Sequence, residues 1–232
     1  MSPVDPARIL ARLDELRRLD PARRLFGADT HVHALAPPVD AALLARAEAA
    51  LGAPLPEDYR RFLVEVGDGG AGPYHGVLSL AESIARCALN DAPMDSLPAF
   101  TRDFPLAADV DFGTLAGKPA SWDEHVRRLA HEPAYAARWD ELREEYAAPP
   151  FDGGWLPICD YGCGDFFFLV VRGPRRGTVW VNSVDSATGL YCLEVSFGAF
   201  HERWLEDALR RVRAGDFAPG TGHLEYGKRP GR

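Results

Sequence analysis

Lysine is almost absent from this sequence: Lys118 and Lys228 are the only two, so nearly all positive charge is arginine, and no stretch gathers it into a stripe. The net charge is −8, and an acidic chain without a basic patch argues against nucleic-acid binding, because phosphate contacts need concentrated Lys and Arg. The acidic balance instead suits a basic protein partner through electrostatic steering. Long apolar runs are also missing, so no bilayer-spanning segment is expected. The opening "MSPVDPARILARLDELRRLD" is charged throughout and lacks the apolar core of a secretory leader, which predicts a cytoplasmic location. Cysteine is sparse. Cys87, Cys159, Cys163 and Cys192 are the only four, and a chain of 232 residues needs no staples to bury a core, so free thiols are expected.

What is present is a regular supply of helix signals. "DPARILARLDELRRLD" spaces Ile9, Leu13, Leu16 and Leu19 helically, with Asp5 as cap and Pro6 in the first turn. "ADTHVHALAPP" reads as a linker. A second helix runs through "VDAALLARAEAALG", from cap Asp40 to stop Gly52. A third opens at Pro56, buries Tyr59, Phe62, Leu63 and Val66, and ends at Gly67. After the Gly-rich "GDGGAG", "PYHGVLSL" is expected to be a first strand, and about 81–119 to be loops with one short helix. "SWDEHVRRLAHE" carries the S-x-x-E spacing of a capping box at Ser121 and Glu124, and another helix starts at Pro133. "WLPICDY", "DFFFLVVRG" and "TVWVNSV" read as strands, the last two joined by a hairpin turn at "RGPRRG". The unbroken "FFFLVV" predicts a central strand covered on at least one face. "FGAFHERWLEDALRRVRAG" is a closing amphipathic helix that turns Phe197, Phe200, Trp204, Leu205 and Leu209 inward.

This order lacks strict strand–helix alternation, so the expected class is α+β: a mostly antiparallel sheet packed against helices. One domain is expected over 1–215, with a helical insertion at about 81–153 and a loose tail at 216–232.

Each enzymatic motif meets a blander alternative. His31 and His33 in "DTHVH" have the H-x-H spacing that opens the metal site of some hydrolases, but the preceding "DPARRLFGA" is no strand, and a polar linker is the preferred reading. Cys159 and Cys163 form a single C-x₃-C with no second pair, which favours incidental thiols over zinc. "GDGGAG" lacks the Lys-Ser/Thr of a phosphate loop. Asp160 and Asp165 beside glycines suit turns better than an acid–base pair, and no G-x-S-x-G elbow is present. No catalytic residue, cofactor or metal ligand is therefore assigned. Of Trp155, Tyr161, Trp180, Tyr191 and Trp204 most should be core, and any exposed beside the Gly-rich loops would anchor a protein partner. The candidate contact residues are Asp68, Tyr74 and His75 by the first Gly-rich turn, and Asp160, Tyr161 and Asp165 by the second.

Two blocks carry a resemblance. "LGAPLPEDYRRFLVEVGDGG" with "YHGVLSL" after it, and "WLPICDYGCGDFFFLVVRGPRRGTVWV" with "FGAFHERWLEDAL", are similar to the SUKH superfamily of Smi/Knr-like domains. The resemblance spans about 39–80 and 154–211. It implies an α+β domain that binds rather than turns over: in bacteria commonly an immunity protein neutralising a cognate toxin, in fungi a regulator acting through protein contacts. A scaffold without a toxin is the first alternative, and a hydrolase using His31 and His33 the second. The family carries over no catalytic or metal-ligand residue.

Overall fold

The computed structural model describes residues 4–88, 92–184, 186, 188–218 and 226. Helix α1 (Pro6–Leu19) starts where expected: Asp5 accepts a hydrogen bond from the Arg8 amide, and proline, which has no amide hydrogen to lose, fills the first turn. Ile9, Leu13 and Leu16 are buried. Leu19, expected on the same stripe, is exposed, because it lies about a quarter turn round the helix from the stripe's centre. The expected linker contains a one-turn helix, α2 (Ala28–His31). Helix α3 (Ala41–Leu51) runs from the Asp40 cap to a left-handed Gly52. Helix α4 (Glu57–Glu65) follows Pro56 and buries Tyr59, Phe62 and Leu63.

"PYHGVLSL" is not a strand. Its ladder is limited to isolated bridges of Val77 with Gly70 and Cys159, because Ser79 already caps the next helix. That helix, α5 (Leu80–Cys87), has a complete capping box between Ser79 and Glu82. The stretch expected to be mostly loop then yields α6 (Pro98–Thr101), the two-residue β1 (Val110–Asp111) and α7 (Phe112–Ala116). Helices α8 (Trp122–His131) and α9 (Pro133–Ala147) follow as expected. Only half of the box at α8 forms: Ser121 accepts from the Glu124 amide, while the Glu124 carboxylate turns to Arg127.

Strands β2 (Trp155–Gly162), β3 (Asp165–Val170), β4 (Val179–Ser183) and β5 (Gly189–Cys192) complete an antiparallel sheet of order β1-β5-β4-β3-β2. The closing helix is α10 (Phe197–Ala214), with all five expected residues buried. The architecture is α+β.

The sheet is covered on both sides, which explains the unbroken "FFFLVV". Phe167 and Leu169 join the core built with Leu13, Tyr59, Phe62 and Phe200 of the α1, α4 and α10 layer. Phe168 and Val170 point the other way, into a second core with Phe104, Phe112, Trp139 and Trp180. Helix α9 thus lies over the second face of the sheet. Layers on the first side are tied by charge: Arg8 and Arg12 both reach Glu206, and Asp58 accepts from the Gly198 amide in the first turn of α10. Of the tail expected to be loose, 219–225 and 227–232 lie outside the described residues. Phe217 meets the Arg24 guanidinium 3.6 Å above its ring, and Tyr226 is buried against Phe200.

Candidate functional site

The two Gly-rich turns meet. After the first, the chain docks on the edge of β2, where the Leu78 amide donates to Ile158 O at 2.9 Å. Gly70 has to be glycine here, since it sits at φ +101° and a Cβ would lie 2.3 Å from the Ala34 carbonyl oxygen. The docking places 73–76 beside the tip of the β2–β3 hairpin, with Tyr74 at a left-handed φ of 53°.

Four of the six candidates converge at this point. The Tyr74 ring is buried, stacked on Phe167 at 5.3 Å and edge-on to Tyr161 at 4.6 Å. His75 and Tyr161 are half-buried at the surface. Asp160 forms the turn by accepting from the Gly162 amide at 2.9 Å, and its other oxygen meets Arg86 at 3.2 Å. That ion pair is solvent-exposed and adds little stability. The remaining two candidates are used elsewhere. Asp68 caps α5 by accepting from the Leu80 amide, and burial raises its carboxyl above the usual range. Asp165 is buried, accepting from the Ser183 hydroxyl and the Ser186 amide.

Phe26 and Arg86 belong to the same patch and were not singled out from the sequence. The Phe26 ring stands edge-on to His75 at 5.4 Å and is 45% exposed. A phenylalanine in a loop carries no periodicity that separates a surface anchor from a core residue. Its placement depends on Gly27, at φ +78°, whose missing Cβ would fall 1.6 Å from Tyr74 O. The patch is thus an aromatic surface of Phe26, His75 and Tyr161 over a buried Tyr74, rimmed by Arg86 and Asp160.

The histidine pair is not on a polar linker. His31 and His33 are both buried, and Val32 and His33 take left-handed backbone conformations that fold the segment inward. Nε2 of His33 meets the Asp20 carboxylate at 3.0 Å, and Nδ1 of His31 accepts from the His33 amide at 3.1 Å. Burial first, then the neighbouring His33, pushes His31 down to about 4. Among the described residues no group of three or more His, Cys, Asp or Glu side chains is placed to hold a metal ion.

The C-x₃-C pair is split between interior and tip. Cys159 is buried in β2 with Sγ against Pro73 O, whereas Cys163 is exposed at the hairpin tip. All four cysteines are free, and burial pushes the Cys87 thiol up to about 12 and that of Cys159 well above its ordinary value. Native protein at neutral pH is therefore expected to show one fast-reacting thiol by Ellman titration, and Cys163→Ser should abolish it. Fast reaction of three or more thiols in the native state would contradict the burial of Cys159 and Cys192, whereas a second one would point to the partly buried Cys87.

No helix among the described residues is long and apolar enough to cross a membrane. A model of the SMI1 / KNR4 family (SUKH-1) matches residues 38–203, a span that contains both Gly-rich turns and ends within α10. Among curated proteins and among solved structures, none matches the chain.

Proposed function

The chain belongs to the SMI1/KNR4 family, and from that membership we propose that it is a non-enzymatic protein-binding domain, specifically an immunity protein that covers the active surface of a cognate toxin. The observation that carries the reading is the aromatic patch where the two turns meet. Phe26, His75 and Tyr161 offer apolar area on a rigid base, since Tyr74 beneath them is stacked on the β3 core. Aromatic side chains in such positions are what protein interfaces use as anchors. The polar rim of Arg86 and Asp160 fits the same anatomy. The net charge of −8 favours a basic toxin, whose association would slow as salt is added. The intended setting is the cytoplasm, where the four thiols stay reduced.

Co-expression with a candidate toxin encoded by a neighbouring gene tests this reading. Protection of the cells and co-purification of the two proteins are expected. Phe26→Ala together with His75→Ala should weaken binding by about 2 kcal/mol or more while leaving the thermal melt nearly unchanged. A partner recovered without any toxicity would assign the domain to regulation or scaffolding. Binding that survives the double substitution would move the interface off this patch.

A further inference from the structure

Four of the eight exposed large hydrophobic side chains among the described residues lie on α7 and α8: Leu115, Trp122, Val126 and Leu129. The last three follow helical spacing and form one stripe along the outer side of α8, with Trp122 63% exposed. Only His125 of this helix is buried, its Nδ1 against the Tyr135 hydroxyl at 2.8 Å and its ring on Trp139. A tryptophan so exposed within an apolar stripe marks a surface that is covered in use. Lys118, the one lysine among the described residues, holds its ammonium over the Trp122 ring, 5.1 Å from the centroid.

We infer that α8 is the contact by which two copies of this chain pair in antiparallel fashion about a two-fold axis. The charges of the helix point to a second copy. Asp123 and Glu124 stand in its first turn, and Arg128 and His131 in its last, with Arg127 between. Within the chain Glu124 holds Arg127 and Glu132 holds Arg128, which leaves Asp123 to be met by the Arg127 of a second copy on the same flank. Antiparallel packing sets the acidic end of one copy against the basic end of the other, and Asp123 shares its flank of the stripe with Arg127. The two aspartate–arginine pairings then form at once, as an isologous interface requires. The helix carries two acidic residues and two arginines, so it is balanced in a chain whose total is −8, and copies do not repel at this point. The chain's own described ends are occupied elsewhere: Val4 and Tyr226 both join the first core, across the sheet from α8. At ten residues the helix is about 15 Å long, so the contact falls below the ~800 Å² per partner of a standard interface and the dimer is weak.

Sedimentation velocity over a concentration series tests the pairing on the full chain. Self-association in the micromolar range is expected, and Val126→Glu should leave a monomer with an unchanged melt. Asp123→Arg or Arg127→Asp alone should weaken the dimer about tenfold, and the two combined should restore it, because the swap preserves complementarity. A chain that stays monomeric at all concentrations would overturn the inference, as would a dimer indifferent to Val126→Glu. Charge reversals that fail to rescue one another would rule out the antiparallel register. Loss of a co-purified protein from the Val126→Glu variant of a monomeric chain would assign the face to a different partner.

Discussion

Acidification from about pH 7 to about pH 5 is expected to cost the fold about 4 kcal/mol, from two histidines that stay neutral inside it. His31 and His201 are both buried, and burial is the leading cause that pushes each down to about 4. For His31 the neighbouring rings of His33 and His201 add to the effect, and Asp29 opposes it. His201 has no carboxylate among its perturbing groups. Its Nε2 meets the Ala71 carbonyl at 2.9 Å, and its ring lies between Phe62, Phe197 and Trp204. In the unfolded chain each imidazole titrates near its ordinary 6.5. As the pH falls through that value, the unfolded state takes up protons that the folded state refuses, so stability declines. The decline continues towards pH 4, where the folded state begins to take the protons too and the loss levels off. Near pH 5 the difference amounts to about 2 kcal/mol for each ring.

Urea titrations across this range would measure the slope. His201→Gln, which keeps a donor for the Ala71 carbonyl but cannot titrate, should remove about half of it. Asp20 contributes in a separate window. Its carboxyl is held below the usual range by hydrogen bonds from Arg24, His33 and Leu25, against the opposing effect of burial. Its contribution is therefore lost only as the pH drops below the ordinary carboxylate value, after the histidine arm is complete. Stability that is flat between pH 7 and pH 5 would show that the two rings are not buried as neutral groups.

Local signals account for much of what was legible before the structure. Asp5, Asp40 and Ser121 each cap the helix that their spacing announced, because a cap needs only a few consecutive residues to work. The same spacing stands at Ser79 and Glu82, but Ser79 lies inside "PYHGVLSL", whose short mixed pattern reads as a strand. β1 consists of Val110 and Asp111 and exists only through its pairing with Leu190 and Gly189. No local pattern can announce a strand of two residues whose partner lies some eighty positions away. The candidate site divides along the same line. Tyr74, His75, Asp160 and Tyr161 could be drawn from their Gly-rich surroundings, but their meeting depends on the docking of 77–78 against β2. Phe26 joins them through a close approach at Gly27, which is a property of the assembled backbone. His31 and His33 read as a polar linker because the segment before them, "DPARRLFGA", is no strand. Both are buried: His33 places Nε2 against the Asp20 carboxylate at the end of α1, and His31 accepts from the His33 amide, contacts that no local pattern announces.

That partner is the most exposed to substitution. Asp20→Ala is expected to destabilise the protein by about 3–5 kcal/mol, the range for removing one member of a buried, hydrogen-bonded pair. The Asp20 side chain is fully buried and accepts three bonds: from the Arg24 amide at 2.9 Å, the Leu25 amide at 3.1 Å and His33 Nε2 at 3.0 Å. Alanine leaves the buried Leu25 amide and the His33 imidazole nitrogen without partners, and removes the partner of the half-buried Arg24 amide; each buried group carries a desolvation cost. Asp20→Asn should cost less, because its amide oxygen can still accept from the Leu25 amide and His33, although its amide nitrogen then faces the Arg24 amide and that bond is lost along with the charge. The loop tied down by these bonds, residues 24–33, carries Phe26 into the aromatic patch, so the two variants separate stability from binding. Under conditions where both remain folded, Asp20→Ala should lower partner affinity although Asp20 lies out of reach of any partner, and Asp20→Asn should largely preserve it. Denaturant unfolding gives the first quantity, and titration calorimetry with the co-purified partner gives the second. If Asp20→Ala costs less than about 1 kcal/mol, the buried pair does not hold the loop, and the placement of Phe26 must rest on Gly27 and Tyr74 alone.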